Sequence, residues 1–304
     1  MENLFRGGFC CIMKVFDLDL AQTLECGQCF NFERIDNGPD GPQEYVVCAM
    51  GRALHVRQVS GGPSCTPGSG SGSELEFLNA SADDIENIWI PYFDLDRDYS
   101  EIKRAVACAD SRLEPITEKY YGIRILRQDL CETLVSFIIS QNKNIPQIKK
   151  CVKAICRQAG PCLGVIAGKE YYGFPSLEVL AQMDEQDFRD LKCGFRAPYI
   201  VDAIKHMAGG LNAQELSSLS YDAARERLIS IRGVGDKVAN CVLLFSLGFR
   251  EAFPVDVWIK RIMQELYFNG EETPKAVIEE KGRSLFGAFG GYAQQYLFMY
   301  AREK

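Results

Sequence analysis

The feature that most constrains this 304-residue chain is a glycine-rich turn between two stretches of helical character. The first helix is expected to end near Ile231, the tight turn Gly233-Val234-Gly235 follows, and a second helix is expected from about Asp236. Two glycines let the backbone turn sharply and approach a ligand closely. The free N–H groups and the helix dipole at the start of the second helix suit a phosphate. The pattern predicts a helix-hairpin-helix over about residues 225–247 that holds a DNA backbone; the alternative is a purely structural turn.

Lys237 falls in the first turn of the second helix. The positive end of the helix dipole opposes a charged ammonium at that position and so favours a neutral amine. A neutral amine is a nucleophile and can form a Schiff base. Lys237 is therefore the candidate nucleophile, with a plain phosphate-binding lysine as the alternative. Cys241 lies four residues further on, so the two side chains share one helix face.

Asp256 lies nineteen residues after Lys237, directly before a stretch of helical periodicity. An aspartate at that position can cap the helix, and a lone aspartate of this kind is usually structural. Together with a lysine behind a glycine-rich turn it gains a second possible role. A carboxylate beside a sugar stabilises the positive charge that develops as a base departs.

The pattern along the chain predicts an α+β fold. Residues 14–60 contain short apolar runs separated by Gly, Pro and Asp, which indicates strands, and residues 60–73 are composed of loop-forming residues. From Tyr99 onward apolar residues recur three and four apart, as in 130–140 and 145–158. We expect an N-terminal antiparallel-sheet domain at 1–110 with a flexible loop at 60–73, then a two-part helical domain at 111–304.

Charge is distributed unevenly along the chain. The net charge is −7, but residues 1–110 carry −10 and residues 111–304 carry +3. From Thr133 to Lys169 there is no acidic residue, and a local basic strip matters more for phosphate contact than the total charge. A solvated helix face is the alternative. The six cations of this strip are Lys143, Lys149, Lys150, Lys153, Arg157 and Lys169.

Several classes of protein are disfavoured by composition. No apolar run of 18 residues is present, so no membrane span is expected, and the N-terminus lacks the pattern of a secretory signal. Thirteen cysteines, odd in number and irregular in spacing, indicate reduced thiols rather than a disulfide framework. The pair Cys26 and Cys29 forms a CxxC without a second pair or a nearby histidine, so we expect no metal site there.

Five motifs in order give the chain a resemblance to the 8-oxoguanine DNA glycosylase/lyase family, within the helix-hairpin-helix glycosylase superfamily. The resemblance extends from about Phe16 to Tyr300. Any one motif alone is moderate evidence, whereas all five with the Lys–Asp spacing kept are strong. The motifs are Gly27-Gln28-x-Phe30, Arg127-Gln128-Asp129 with Ser136-Phe137-Ile138-x-Ser140-Gln141-Asn142-x-Asn144-Ile145, Gly194-Phe195-Arg196-Ala197-x-Tyr199, Gly233-Val234-Gly235-x-Lys237-Val238-Ala239 and Pro254-Val255-Asp256.

The resemblance implies a role for each matching residue around the base. Lys237 and Asp256 would be the nucleophile at C1′ and the stabilising carboxylate. Gly27 would offer its carbonyl to the N7–H that 8-oxoguanine has and guanine lacks, a contact that discriminates because an N7 lone pair would face the same oxygen. The residues that would bind the base's pairing edge and the two faces of its ring are Gln294, Phe298 and Cys241.

The resemblance also implies how the duplex is opened. Flipping is required because the reacting atom is unreachable inside the base stack. Asn142 would fill the gap that the flipped nucleotide leaves, and Phe195 and Arg196 would meet the orphaned partner base. Gly233 and Gly235 would hold the backbone in the hairpin.

Two positions depart from the family pattern. The family's animal members carry an arginine where Gln147 stands, and that arginine helps to recognise the opposite cytosine. They carry a histidine where Trp258 stands, next to a DNA phosphate. Gln147 and Trp258 remain candidate DNA-binding residues, but the choice of opposite base stays open.

The expected function is excision of 8-oxoguanine from duplex DNA by a Schiff-base mechanism, followed by strand nicking through β-elimination. The resemblance implies no metal and no organic cofactor. The expected partner is double-stranded DNA containing 8-oxoguanine, bound by a monomer without a membrane, in a bacterial cytoplasm at the nucleoid or in a nucleus. The alternatives are a glycosylase for another damaged base and a non-catalytic DNA-binding protein that uses only the hairpin.

Overall fold

An antiparallel sheet forms the N-terminal part of the computed structural model, which describes residues 4–6, 10–35, 38, 41–59 and 72–304. All neighbouring strands in it are antiparallel, in the order β1-β2-β6-β5-β4-β3. The predicted α+β fold class with an N-terminal antiparallel sheet is confirmed. The strands are β1 Leu4–Arg6, β2 Cys10–Val15, β3 Phe32–Ile35, β4 Gln43–Ala49, β5 Arg52–Val59 and β6 Ser73–Phe77.

The predicted loop at 60–73 lies outside the described residues between 60 and 71. Its last residue, Ser73, is the first residue of β6 and pairs with Val15 of β2. The loop prediction is therefore wrong at Ser73. Pairing with β2 holds this polar residue in the sheet, which the loop-like composition of residues 60–73 does not predict.

Helical segments pack on the sheet and were not predicted from the β-rich pattern of this part of the chain. They are α1 Leu20–Glu25, α2 Ala82–Asp84, a π-helix at Ile85–Trp89 and α3 Ile90–Tyr92. Trp89 is 1% exposed and belongs to the same core cluster as Tyr45, Val56 and Phe77 of the sheet. The alternating burial of β5 shows that one face of the sheet points into this core.

Thirteen helices follow in the remaining chain. None of the described helices is long and apolar enough to cross a membrane. The helices are α4 Tyr99–Ala109, α5 Glu114–Lys119, α6 Leu130–Ile139, α7 Ile145–Ala159, α8 Leu177–Leu180, α9 Glu185–Asp190, α10 Ala197–Ala208, α11 Ala213–Ser218, α12 Tyr221–Ile229, α13 Asp236–Phe245, α14 Val257–Tyr267, α15 Lys275–Phe286 and α16 Gly290–Glu303. Short 3₁₀ helices lie at Ser111–Leu113, Gly194–Arg196 and Gly287–Phe289.

Helices α6 and α13 form the centre of this helical part. Almost every residue of each is buried, as expected for a helix that is apolar all round. The two helices run antiparallel: Gln128, just before α6, donates its backbone N–H to the carbonyl of Phe245 at the end of α13. The rings of Phe137 and Phe245 stack with centroids 5.5 Å apart. The opposite ends of the pair, at Ser140 and Lys237, therefore also meet.

A β-hairpin interrupts the helical part and was not predicted. Strands β7 Cys162–Ile166 and β8 Lys169–Tyr172 are antiparallel and joined by Ala167 and Gly168. Both turn residues have positive φ, 49° and 76°, which is the conformation of a tight hairpin turn. The hairpin contributes Tyr171 to a small core with residues of β4.

Candidate active site

The predicted hairpin is present between α12 and α13. Gly233 has a φ of +81°, and a Cβ built on it would lie 2.3 Å from Cγ of Tyr199. Only glycine fits at this point, because both the backbone conformation and the aromatic ring exclude a side chain. The carbonyl of Gly233 accepts a hydrogen bond from Nε2 of Gln141 at 3.0 Å. That bond ties the hairpin to the segment that follows α6.

Gly235 is the N-cap residue of α13 and provides no side chain to cap it. The N–H groups of the first helical turn lack an intrahelical partner in any α-helix. With the positive end of the dipole, they form a site for an anion such as a backbone phosphate.

Lys237 is the second residue of α13, as predicted, and its half-buried amine lies at the end of α6. Its Nζ donates a hydrogen bond to Oγ of Ser140 at 2.8 Å and lies 4.9 Å from the centroid of the Phe137 ring. The hydroxyl of Ser140 donates in turn to the carbonyl of Phe137 at 2.7 Å. Because that donation uses the only hydroxyl hydrogen, Oγ of Ser140 can only accept from Lys237.

Asp256 caps α14, as predicted. One of its carboxylate oxygens accepts from the backbone N–H of Trp258 at 3.0 Å and of Ile259 at 2.8 Å. Burial raises the pKa of Asp256 above its ordinary value, while those two N–H groups and the nearby charge of Lys237 oppose the rise. The carboxylate is thus close to Lys237, and its negative charge is only partly compensated within the protein.

Cys241 lies one helical turn after Lys237 and is 3% exposed. Burial raises the pKa of its thiol to about 11, against the charge of Lys237, which lowers it. At neutral pH the side chain is a neutral thiol, an apolar wall next to the charged pair.

Gly27 lies in a loop held by the side chain of Gln28. The Gln28 amide donates to the carbonyls of Thr23 and Arg124, at 2.8 and 2.7 Å, and accepts from the N–H of Leu126 at 2.9 Å. Gly27 itself has a φ of +84°. The fixed loop joins the end of α1 to the segment before α6, so it presents Gly27 from the N-terminal part toward the helical part.

Phe298 of α16 faces Gly27. A Cβ built on Gly27 would lie 3.8 Å from Cε1 of Phe298 and 2.9 Å from Cδ1 of Ile145. Gln294, one turn earlier on the same helix face, is 4% exposed, and its Nε2 donates to the carbonyl of Pro254 at 3.1 Å. The predicted base-binding residues on α16 thus reach Gly27 on one side and the Asp256 segment on the other.

The residues predicted to hold the duplex open lie at the surface, with the exception of Arg196. Asn142 is exposed and has a φ of +52°, and Phe195 is 52% exposed. Arg196 is 4% exposed, because its Nε donates to the carbonyl of Gln141 at 2.7 Å and its Nη1 to that of Cys193 at 3.2 Å. Its guanidinium lies 4.2 Å from the centroid of the Phe195 ring. In this structure Arg196 therefore holds the backbone next to Asn142 and supports Phe195.

The two departures from the family pattern are both exposed. Gln147 forms a capping box with Asn144: its Oε1 accepts from the Asn144 N–H at 3.1 Å, and its own N–H donates to Asn144 Oδ1 at 3.0 Å. Trp258 is 38% exposed beside Asp256. Gln147 thus has its carbonyl engaged and its NH₂ group at the surface.

Two family models match consecutive parts of the chain. The model of the 8-oxoguanine DNA glycosylase N-terminal domain covers residues 11–134, and that of the HhH-GPD superfamily base excision DNA repair proteins covers residues 135–286. The N-glycosylase/DNA lyase OGG1 of Arabidopsis thaliana is 31% identical over 302 residues, spanning 93% of this chain and 77% of the relative. The chain belongs to the 8-oxoguanine DNA glycosylase family.

Other members of the family extend the comparison. The probable N-glycosylase/DNA lyase of Methanothermobacter thermautotrophicus is 31% identical over 238 residues, 72% of this chain and 74% of the relative. The crystal structure of the Clostridium acetobutylicum 8-oxoguanine glycosylase/lyase, in complex with double-stranded DNA containing cytosine opposite 8-oxoG, is similar with a TM-score of 0.88. It is 37% identical and covers 99% of this chain and 97% of that chain.

Three lysines of the predicted basic strip have interaction partners within the protein. Lys153 and Lys169 both pair with Glu33, at 3.0 and 2.6 Å, and the amine of Lys149 lies 3.5 Å from the centroid of the Phe32 ring. These three lysines join α7 and β8 to β3. The sheet thus supplies these lysines with partners distant in sequence, and phosphate contact by the strip stays a prediction.

Two residues of the site were not singled out from the sequence. Ser140, which accepts from Lys237, lies inside a family motif, so its position there was an available signal. Tyr199, which packs over Gly233, is the last residue of another motif. For neither does the sequence show the partner, since these contacts join segments far apart along the chain.

Proposed function

We propose that this chain excises 8-oxoguanine from duplex DNA and then nicks the strand at the resulting site. The observation that carries the proposal is the amine of Lys237, held by Ser140 close to the Asp256 carboxylate at the start of a phosphate-binding hairpin. An amine, a carboxylate and a phosphate site together suit chemistry at a deoxyribose carbon. The DNA substrate places the protein at the nucleoid or in a nucleus.

Lys237 acts as the nucleophile in the first step. The lone pair of its neutral amine attacks C1′ while the bond from C1′ to N9 of the base breaks, and the base leaves with that electron pair. Positive charge develops on the sugar as this bond lengthens, and Asp256 stabilises it. Both backbone N–H groups contact the same carboxylate oxygen, Oδ1, which leaves the other oxygen for the sugar.

Strand nicking follows from the covalent adduct. The amine on C1′ loses a proton, the sugar ring opens, and an imine joins Nζ of Lys237 to C1′. Loss of a proton from C2′ then expels the 3′ phosphate, so the C3′–O bond breaks and a C2′–C3′ double bond forms. Water hydrolyses the imine and releases Lys237.

Recognition of the base rests on Gly27, Phe298, Cys241 and Gln294. A flipped purine ring lies against the Phe298 ring, and the neutral thiol of Cys241 closes the other side. The Gly27 carbonyl accepts the N7–H of 8-oxoguanine and repels the N7 lone pair of guanine. Gln294 exchanges its bond to the Pro254 carbonyl for bonds to the pairing edge of the base.

The duplex is held open by surface residues around this space. The hairpin glycines Gly233 and Gly235 bring backbone N–H groups to the phosphates, with Trp258 beside them. Asn142 occupies the gap in the stack, and Phe195, supported by Arg196, meets the partner base. Extrusion costs a few kcal/mol of stacking and pairing, which these contacts offset.

Borohydride trapping tests the proposal directly. The full chain is incubated with a duplex containing one 8-oxoguanine, and borohydride reduces any imine to a stable amine. We expect a covalent protein–DNA adduct with the native chain and none with Lys237→Gln, which keeps its affinity for the duplex. A duplex of the same sequence with 3-methyladenine in place of 8-oxoguanine tests the alternative of a glycosylase for another damaged base.

Each result decides between the candidate functions. An adduct on 8-oxoguanine alone supports the proposal, and an adduct on 3-methyladenine alone assigns another lesion. Binding without any adduct or base release would identify a DNA-binding protein without glycosylase activity. An adduct that persists in Lys237→Gln would remove Lys237 from the mechanism.

A further inference from the structure

A cavity of about 310 Å³ lies at the end of the α6–α13 pair that is distant from Lys237. It is lined by Arg97, Arg127 and Arg250 together with the last residues of α13 and the loop that follows. Helix α13 has ten residues and so measures roughly 15 Å, which separates this cavity from the hairpin. The cavity is therefore separate from the predicted base-binding residues and from the hairpin at Gly233 and Gly235.

The charges around this cavity do not balance. Asp94 is 1% exposed and accepts from Nε of Arg97 at 3.0 Å and from Nη2 of Arg127 at 2.5 Å. Burial opposes the charge on Asp94, but the charges of Arg250, Arg127 and Arg97 outweigh it and lower the pKa of the carboxyl. One ionised carboxylate against three guanidinium groups leaves a surplus of two positive charges.

Most N–H groups of these three guanidinium groups have no acceptor among the described residues. Each carries five N–H groups. The bonds that they make to described residues use one each: Arg97 and Arg127 donate to Asp94, and Arg250 donates to the carbonyl of Leu244 at 3.1 Å. A planar guanidinium presents its remaining N–H groups in a fork that matches phosphate oxygens.

Ser246 adds an independent indication of a ligand. Its side chain lies in the cavity wall, and its hydroxyl is buried without a hydrogen-bond partner in the described part of the chain. A buried hydroxyl without a partner is costly, so an acceptor held at the cavity wall would relieve that cost.

We propose that this cavity binds a small phosphate ester of nucleotide size, with its phosphate among Arg97, Arg127 and Arg250 and accepting from Ser246. A phosphate carries up to two negative charges, which matches the surplus. The volume falls at the lower end of the range of small-molecule sites and exceeds the need of a bare phosphate. Leu244 and Phe245 supply an apolar wall for the rest of the ligand. The inference is independent of the activity at Lys237.

Isothermal titration of the full chain with dGMP, pyrophosphate and inorganic phosphate at low ionic strength tests this site. Low salt is chosen because screening weakens an exposed charge contact. We expect saturable binding, with dGMP tighter than inorganic phosphate. Arg97→Gln and Arg250→Gln should each weaken it by about tenfold or more, the usual effect of losing a charge-assisted hydrogen bond. Arg104→Gln, on the exposed face of α4, is the matched control and should leave binding unchanged.

Ser246→Ala separates a binding role from a structural one. Removing a hydroxyl that has no partner in the described structure should leave the melting temperature of the free chain unchanged or raise it. The same substitution should weaken dGMP binding by about tenfold. A lower melting temperature with unchanged binding would show that Ser246 serves the fold alone and would overturn its part in the site.

Two further results would overturn the proposal. One is the absence of binding by all three probes up to about 10 mM, a concentration at which even a Kd of about 1 mM would be detected. The other is binding that Arg104→Gln reduces as much as Arg97→Gln and Arg250→Gln do, which would be nonspecific attraction to positive charge. Sensitivity of duplex DNA binding alone to Arg97→Gln and Arg250→Gln, without binding of the small probes, would assign these arginines to the DNA backbone and refute a small-molecule site.

Discussion

Nζ of Lys237 donates a hydrogen bond to Oγ of Ser140 at 2.8 Å, across 97 positions of the chain. Because Ser140 gives its own hydrogen to the carbonyl of Phe137, the lysine must donate one N–H to the serine. When the amine is neutral, its lone pair is therefore directed away from Ser140. Ser140 acts as a positioning residue that orients the nucleophile.

Ser140→Ala should slow single-turnover excision by about fivefold to tenfold, the value of one hydrogen bond of roughly 1 kcal/mol, with unchanged affinity for the lesion duplex. The rate of borohydride trapping should fall in parallel, and Ser140→Thr should restore both rates. Ser136→Ala is the control, since that hydroxyl lies one turn earlier on α6 and has no partner in the described structure. Equal rates for Ser140→Ala and the native chain would refute the positioning role.

Asp256→Asn should reduce base release by about 10²–10³-fold, the usual cost of losing one electrostatic stabiliser. The same change should raise the melting temperature at pH 7. Burial raises the pKa of Asp256 in the folded state above the unfolded value near 3.9, so the ionised carboxylate costs stability above the folded pKa. That cost disappears as the pH falls through the folded pKa, and the gain from Asn should disappear with it.

Asp98→Asn supplies a control of opposite sign. Asp98 also caps a helix, α4, but hydrogen bonding from Ser100 lowers the pKa of its carboxyl. Its ionised form therefore adds stability above the unfolded pKa, and this is lost as the pH falls through the folded pKa. Asp98→Asn should lower the melting temperature at pH 7 and have little effect at low pH. Melting curves from about pH 2 to 8 cover both windows, and the same sign for both variants at pH 7 would contradict the opposite pKa shifts of the two carboxyl groups.

Gly27→Ala should abolish selective binding of the lesion. The positive φ of Gly27 strains any L-residue, and the new Cβ would lie 2.9 Å from Cδ1 of Ile145. The loop would have to shift, which would move the carbonyl that is proposed to meet N7–H. We expect affinity for an 8-oxoguanine duplex to fall to that for an undamaged duplex, which itself stays constant.

Gly51→Ala is the matched control for Gly27→Ala, because Gly51 also has a positive φ but nothing lies within 4 Å of a Cβ built on it. It adds comparable backbone strain in the turn between β4 and β5. Full lesion preference in Gly27→Ala would show that this carbonyl does not read the base.

With Gln147 in place, the rate of excision should depend only weakly on which base lies opposite the lesion. Its carbonyl is engaged by the N–H of Asn144, so its exposed NH₂ is the group that it can offer an orphaned base. A neutral NH₂ group distinguishes cytosine from the other bases less well than the charged fork of an arginine does. We expect excision rates opposite the four bases to differ less than they do for Gln147→Arg, which should favour cytosine.

Single-turnover rates on four duplexes that differ only in the opposite base measure this directly. Gln147→Glu is the control, since glutamate preserves the capping box but offers no donor. A strong cytosine preference in the native chain would refute the prediction and shift that role to Arg196, whose guanidinium is now bonded to the carbonyls of Gln141 and Cys193.

Local features of the sequence were sufficient for the hairpin, its lysine and the helix that Asp256 caps. These features involve only residues that are close in sequence: glycines at positive φ, capping residues and apolar periodicity. They can therefore be recognised without knowing the tertiary structure. The same local rules missed α1 and the β7–β8 hairpin, where packing against the sheet outweighs weak propensities. The domain boundary at residue 110 and the roles of the site residues remain predictions.

Tertiary structure alone decided which side chains meet. Ser140 and Lys237 come together because α6 and α13 pack antiparallel, and Glu33 takes up Lys153 and Lys169 across 120 and 136 positions. The three arginines of the cavity come from segments around residues 97, 127 and 250, which show no shared pattern. Such contacts form only when segments distant in sequence pack together. The free energy of that packing comes from apolar surface buried between segments, so no single segment of the sequence reveals it.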